Sequence, residues 1–223
     1  MTFPPTSTVG VLVSGGLDSC ILAAEILRQG ANVQPFYIRT GVRWENCELT
    51  AVRSFLGHLK NPKLRKLVVL ELPLTDLYAA HWSLTGENVP NADSRDEAVF
   101  LPGRNALLLV KPMVWCQMHG ISQLAIAPLG TSPFADAREA FVEDFSRALN
   151  YGSEIDVKLL RPFGDMNKRQ VMELGRGLPL ELTFSCISPV GEQHCGQCNK
   201  CAERRMAIRQ LGIVDRTVYG RGA

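Results

Sequence analysis

The 223 residues carry a formal net charge of +2, with 46% hydrophobic and 21% charged residues. That balance excludes a disordered or fibrous chain, and so small a positive excess argues against a nucleic-acid-binding or membrane-surface protein. No apolar run approaches the ~20 residues that a spanning helix needs. The start, "MTFPPTSTVG", shows neither the basic nor the apolar segment of a secretory signal. A cytoplasmic chain with one sizeable α/β unit and a small appendage is expected.

Residues 1–7, rich in Pro, Thr and Ser, are expected to form a flexible tail. "TVGVLV" (8–13) reads as a buried strand, and 18–29 as a helix stopped by Gly30. A strand follows at 32–38, a helix at 45–60 and a strand at 65–72. Residues 73–103 hold three prolines and no long period, the pattern of a functional loop. His81 and Trp82 within it are candidates for closing over a substrate. A buried helix begins at Arg104, with Pro112 a candidate kink and Trp115 and Cys116 as core. A strand at 122–129, a helix at 140–150, a strand at 157–163 and helices at 168–174 and 200–211 complete the series. This alternation implies a doubly wound, mostly parallel five-stranded α/β sheet over 8–183, followed by a cysteine-rich tail at 184–223. Such sheets bind ligands at the carboxyl ends of their strands, where the strand order reverses. With the first strand central, that place falls on "VLVSGGLDSC" (11–20).

There the strand leaves through two glycines, which permit a tight turn and close backbone approach to a ligand. The helix behind them presents unpaired N–H groups and partial positive charge, an arrangement suited to phosphate. Ser14 and Ser19 add hydroxyls, and Asp18 is expected to cap the helix, to ligate Mg2+, or both. Neither the G-K-[ST] of the ATPase phosphate loop nor G-x-G-x-x-G is present.

Seven cysteines are present, four of them within residues 186–201. Cys186, Cys195, Cys198 and Cys201 follow a C-x8-C-x2-C-x2-C spacing, a full tetrahedral set for structural Zn2+. A four-cysteine iron–sulfur site is the rival, and nothing else in the sequence implies electron transfer. His194 is expected beside the site or in solvent rather than on the metal. Lys200, Arg204, Arg205 and Arg209 are expected to form a solvated face. In the middle of the chain, "LPGRNALLL" places Arg104 and Asn105 at the start of a buried helix. Asn105 as a simple cap and Arg104 as a surface residue remain open on that stretch alone.

"SGGLDS" resembles the pyrophosphate loop of the adenine-nucleotide α-hydrolases. Together with Pro-Gly-Arg-Asn and the cysteine series, in that order, it makes the chain resemble the 7-cyano-7-deazaguanine synthase family from Val9 to Leu211. "FADAREAFVEDFSRALN" and "RPFGDMNKRQVMELG" resemble further segments of that family. The resemblance implies ATP, Mg2+, ammonia and a deazaguanine carboxylate as reactants, with structural Zn2+. The reaction would pass through an adenylate and an amide to the nitrile preQ0, within queuosine biosynthesis. It implies ATP binding by Val13, Ser14, Gly15, Gly16, Leu17, Asp18, Ser19 and Cys20. Asp18, Ser19 and Arg104 would be catalytic, and Arg104, Asn105, Asp136 and Arg138 would bind substrate. Two departures bear on the base pocket: Trp44 stands where the family has His, and Ala135-Asp136-Ala137-Arg138 where it has Pro-Asp-Cys-Arg. A relative acting on another carboxylate and a non-catalytic zinc protein that binds nucleic acid stay as alternatives. Oligomeric state, including a homodimer, is open.

Overall fold

Thr8–Leu12 forms strand β1 in the computed structural model, which describes residues 1–220. After it come α1 (Leu17–Arg28), β2 (Asn32–Arg39), α2 (Glu45–Leu59) and β3 (Val68–Glu71). Two single-turn helices, α3 (Thr75–Tyr78) and α4 (Trp82–Thr85), interrupt the proline-rich region. Then follow α5 (Arg104–Met118), β4 (Gln123–Ala125), α6 (Glu139–Asn150), β5 (Lys158–Leu160), α7 (Lys168–Leu174) and α8 (Asn199–Leu211). The sheet order is β3-β2-β1-β4-β5 and every pairing is parallel. The doubly wound α/β sheet expected from the alternation is therefore the fold. The end of the cysteine-rich tail, 221–223, lies outside the described residues.

Both faces of the sheet are covered, which is why the strands read as continuous apolar runs. On one face Val9 and Val11 pack with Ile21 and Ile26 of α1, Phe55 of α2, Met172 of α7 and Ile208 of α8. On the other, Phe36 and Leu124 lie under Leu109, Met113 and Cys116 of α5. Burying each such side chain stabilises by about 1.5–3 kcal/mol. The Val-Gly-Val alternation of β1 sets how closely α5 approaches. A Cβ on Gly10 would meet Cys116 Sγ, Leu124 Cδ1 and Phe36 Cε2, each at 3.0 Å.

Several local expectations change. The N-terminal segment, expected as a flexible tail, makes defined contacts with the main unit. Phe3 is buried in the core, its N–H donates to Gln29 Oε1 at 3.0 Å, and Asn32 N–H donates to Ser7 O at 2.8 Å. Strand β3 begins at Val68 rather than at 65. Leu64 makes one isolated bridge to Val33, and the Gln34 side-chain amide then takes the Lys66 carbonyl at 2.9 Å in place of a ladder bond. Helix α5 runs on through Pro112. Residues 73–103 dock on the cysteine-rich segment: Asn199 N–H donates to Pro90 O at 3.0 Å, and Asn199 Nδ2 to Ser94 O at 2.8 Å.

Arg204 is the largest departure. In place of the wet face that its charge suggests, it is 1% exposed. Its guanidinium donates to Thr217 Oγ1 (2.8 Å), Thr183 Oγ1 (2.8 Å), Ser185 Oγ (3.2 Å) and Leu180 O (2.7 Å). A fork of five donors suits such a position, because it ties α8 to two separate stretches of chain at once. Arg205 lies over the Tyr219 ring at 4.1 Å from its centroid, and Lys200 turns toward the cavity described next. Of the four, Arg205 and Arg209 keep the exposed positions expected for them.

Candidate active site

A cavity of about 360 Å³ opens beyond the carboxyl ends of β1 and β4, where the strand order reverses. Ser14 follows β1 into it, and Ile126 and Ala127 follow β4. Ser14 N–H donates to Ser19 Oγ at 3.1 Å, and the two hydroxyl oxygens are also 3.1 Å apart, which closes the turn on itself. Gly15 supplies the left-handed residue, with φ +82°. Gly16 is the N-cap of α1 and offers no side-chain acceptor, so the first-turn N–H groups stay available to an anion. Val13 and Cys20 are fully buried, and burial pushes the Cys20 thiol well up. Only their backbone could serve a ligand.

Asp18 does not cap the helix. Gly16 holds that position, and the Asp18 carboxylate turns to Lys168 Nζ, at 2.7 and 3.0 Å. Lys168 also reaches Glu203 Oε1 at 2.9 Å, and Glu203 Oε2 takes Lys200 Nζ at 2.7 Å. Two carboxylates and two ammoniums thus alternate along one wall of the cavity. Burial raises the Asp18 carboxyl, with Lys168 opposing it. Burial also works against charge on Lys168, and Asp18 and Glu203 more than reverse this, so its ammonium is held. Glu203 stays ionised at about 2 against the cost of its burial, because Lys168 and Lys200 flank it. Both Asp18 oxygens contact Lys168, the geometry of a charge-assisted pair.

Much of the remaining cavity wall is aromatic and apolar: Trp44, Trp82, Leu101, Phe134, Phe184 and Ile187. Trp44 and Trp82 stack at 5.7 Å between centroids. Polar groups on this wall include Glu48, Arg104 and Asn105. Glu48 accepts from Trp44 Nε1–H and from the Tyr37 hydroxyl, both at 3.0 Å. Burial lifts its carboxyl to about 7, against Arg104. Asp136 sits behind Asn105 rather than in the cavity: Asn105 N–H donates to Asp136 Oδ2 and Asn105 Nδ2 to Asp136 O, both at 3.3 Å. A carboxylate at the start of α5 is favoured there by the helix dipole. Arg138 is exposed and outside the cavity lining. The short 3-10 turn Ala135–Ala137 directs Ala137, not Arg138, inward.

The cysteines converge as well. Their four sulfurs all lie within 4.8 Å of one another and all four residues are buried. Backbone N–H groups of Ser188 and Cys195 donate to Cys186 Sγ at 3.3 and 3.2 Å, and those of Gln197 and Cys198 to Cys195 Sγ at 3.4 and 3.3 Å. Four such sulfurs with amide support fit a soft tetrahedral cation. His194 is buried, and its ring is neither a ligand nor in solvent. Nε2 accepts Ser185 N–H at 3.1 Å, and burial together with Arg204 holds the imidazole down at about 4. Among the described residues no helix is long and apolar enough to cross a membrane.

The family model described as queuosine biosynthesis protein QueC matches residues 8–212. The chain belongs to the QueC family. A relative called 7-cyano-7-deazaguanine synthase, from Acidobacterium capsulatum, is 31% identical over 238 residues, covering 97% of this chain and 98% of the relative. Another of that name from Nitratiruptor sp. is 28% identical over 219 residues, covering 94% and 97%. A solved 4-thiouridine synthetase–RNA complex with bound ATP shares the fold at a TM-score of 0.52 and 13% identity, covering 92% of this chain and 50% of that one. Within this QueC-family chain, sequence reasoning missed Glu48, Lys168 and Glu203 as cavity residues. Lys168 and Glu203 lie far from the glycine turn in sequence and meet it only through packing of α7 and α8. Glu48 carried a local signal: it lies between Trp44 and Leu49, Val52 and Phe55 on the inward side of α2.

Proposed function

We propose that the chain is an ATP-dependent 7-cyano-7-deazaguanine synthase. The observation that carries this reading is one cavity that joins a glycine turn and paired lysines to an aromatic wall, in a chain of the QueC family. A substrate carboxylate attacks the α-phosphate of ATP, giving an acyl adenylate and pyrophosphate. Ammonia displaces AMP to leave an amide and a proton. The amide oxygen attacks the α-phosphate of a second ATP and releases pyrophosphate, and loss of AMP and a proton leaves the nitrile. A carboxylate is a poor electrophile and its adenylate is a good one, so each displacement uses a leaving group made in the step before.

The backbone of Val13–Cys20, with the hydroxyls of Ser14 and Ser19, would hold the outer phosphates. Asp18 would ligate Mg2+ once Lys168 moves to the phosphates, a redistribution for which Lys168 already lies 2.7 Å away. Mg2+ supplies charge neutralisation of the departing pyrophosphate. Arg104 and Asn105 would orient the substrate carboxylate, with Asp136 fixing Asn105 from behind. The four cysteines would hold Zn2+ as a closed structural site with no open position for chemistry.

Lys168→Met is expected to lower kcat/KM for ATP by about 10- to 100-fold, the worth of a charge-assisted hydrogen bond to phosphate, while Lys168→Arg recovers part of it. Initial rates at varied ATP check this, and an unaltered ATP dependence would remove Lys168 from the phosphate site. The function itself is tested by incubating the chain with ATP, Mg2+, ammonium and 7-carboxy-7-deazaguanine. Mass spectrometry should detect amide and then nitrile, with one AMP and one pyrophosphate for each activation. ATP cleavage that needs another carboxylate, with no nitrile, would favour the relative with altered specificity.

A further inference from the structure

The aromatic wall of the cavity carries Glu48, Arg104 and Asn105 among its polar side chains, and of these three Glu48 alone is an acceptor-only group. Arg104 donates, Asn105 commits its amide to Asp136 O at 3.3 Å, and Glu48 offers carboxylate oxygens. Each Glu48 oxygen already takes one hydrogen bond, from Trp44 Nε1 and from the Tyr37 hydroxyl. An ionised carboxylate has about four acceptor positions, so one on each oxygen remains. The two protein donors fix the carboxylate plane, as a recognition group requires. Trp44, Trp82 and Phe184 around it supply flat apolar surface for a heteroaromatic ring.

We propose that Glu48 selects the guanine-type edge of the substrate, accepting its ring N–H and an exocyclic amino hydrogen side by side. An adenine-type edge offers a ring nitrogen acceptor where the guanine type offers a donor, and would set a lone pair against the carboxylate. This deepens the function proposed above and rests on it for the identity of the substrate. Trp44 acquires a role as well, because its indole N–H holds the selecting carboxylate from the side.

Proton linkage follows from the same arrangement. The groups facing Glu48 are Arg104 from α5, Tyr37 from β2, Glu45 and Cys47 on its own helix, and Cys20 of α1. With its folded value at about 7, unliganded Glu48 carries a proton below that pH and is ionised above it. Pairing with two donors requires the ionised form, so affinity for the guanine-type edge rises as pH rises through about 7.

Calorimetric binding and pyrophosphate release are measured with 7-carboxy-7-deazaguanine and its 2-deamino counterpart, on the unmodified chain and on Glu48→Gln. The unmodified chain should bind the amino compound at least about tenfold more tightly, and Glu48→Gln should reduce that preference below about threefold. Equal binding of the two compounds by the unmodified chain, or a full preference kept by Glu48→Gln, overturns the proposal. If Glu48→Gln does not fold, the unmodified chain decides: its affinity for the amino compound must strengthen between about pH 6 and pH 8 more than that for the 2-deamino compound, and parallel pH profiles refute the assignment. Preferential binding without pyrophosphate release would sink the proposed reaction and leave the role of Glu48 standing.

Discussion

Gly15→Ala is expected to cut ATP-dependent turnover by about 10²- to 10³-fold, the loss that follows when preorganised donors leave their positions. Gly15 has φ +82°, and an added Cβ would stand 2.9 Å from the Glu48 carbonyl oxygen and 3.4 Å from Glu48 Cα. The neighbour is helix backbone, which cannot swing aside as the tip of a side chain would. A left-handed alanine costs about 1–2 kcal/mol, and overpacking adds about 1–3 kcal/mol. The turn can relieve both only by shifting the N–H groups that would face phosphate, and it pushes on α2 at the residue whose side chain lies on the aromatic wall. Thermal unfolding should drop by several degrees alongside the kinetic loss. Gly16→Ala is the folding control: its φ is −73°, and its Cβ would meet nothing closer than Ser14 Oγ at 3.6 Å. Equal unfolding midpoints for the two variants would remove the steric argument for Gly15.

Cys201→Ser, or removal of the metal with a strong chelator, is expected to unfold the 184–220 segment and abolish turnover. Four sulfurs within 4.8 Å in a buried setting cannot all be thiolates unless a cation offsets their repulsion. Structural Zn2+ in small domains contributes an apparent 10–16 kcal/mol or so. Helix α8 is held to the main core by Ala207, Ile208 and Leu211, but the stretch before it buries little beyond the cysteines, which cluster with Val42, Trp44, Ala51, Val99, Phe184 and Ile187. Helix α8 carries Cys201 one turn from Lys200, Glu203 and Arg204, so release of the sulfurs also frees the ion-pair wall of the cavity. Metal analysis should give one zinc per chain, falling well below that in Cys201→Ser, and limited proteolysis should cut between 184 and 198. A metal-free chain that resists protease and keeps its unfolding midpoint would refute a structural metal.

Much of the architecture is legible in the sequence because it depends on local pattern. Alternating apolar runs mark the strands and helices, and the Ser-Gly-Gly turn after β1 locates the crevice. The four cysteines stand out by spacing. What stays hidden depends on the partners that tertiary packing supplies. Asp18 reads as a helix cap until Lys168 arrives from α7. Arg204 reads as a surface charge because its neighbours are Glu203 and Arg205. Yet Cys201, Arg204, Ile208 and Leu211 share one helix face, and that stripe is the available clue. Asp136 and Arg138 read as members of one pocket. A single 3-10 turn separates them, aiming one at the start of α5 and the other at solvent.

The stacked indoles of Trp44 and Trp82 have an optical consequence. The chain has three tryptophans, and the third, Trp115, packs against Phe36 at 5.1 Å and His119 at 3.6 Å. Two of the three chromophores therefore stand where a flat heterocycle would enter, while the remaining one lies outside the cavity lining. Intrinsic fluorescence is thus a built-in gauge of occupancy, readable without a label, with Trp115 as its constant background.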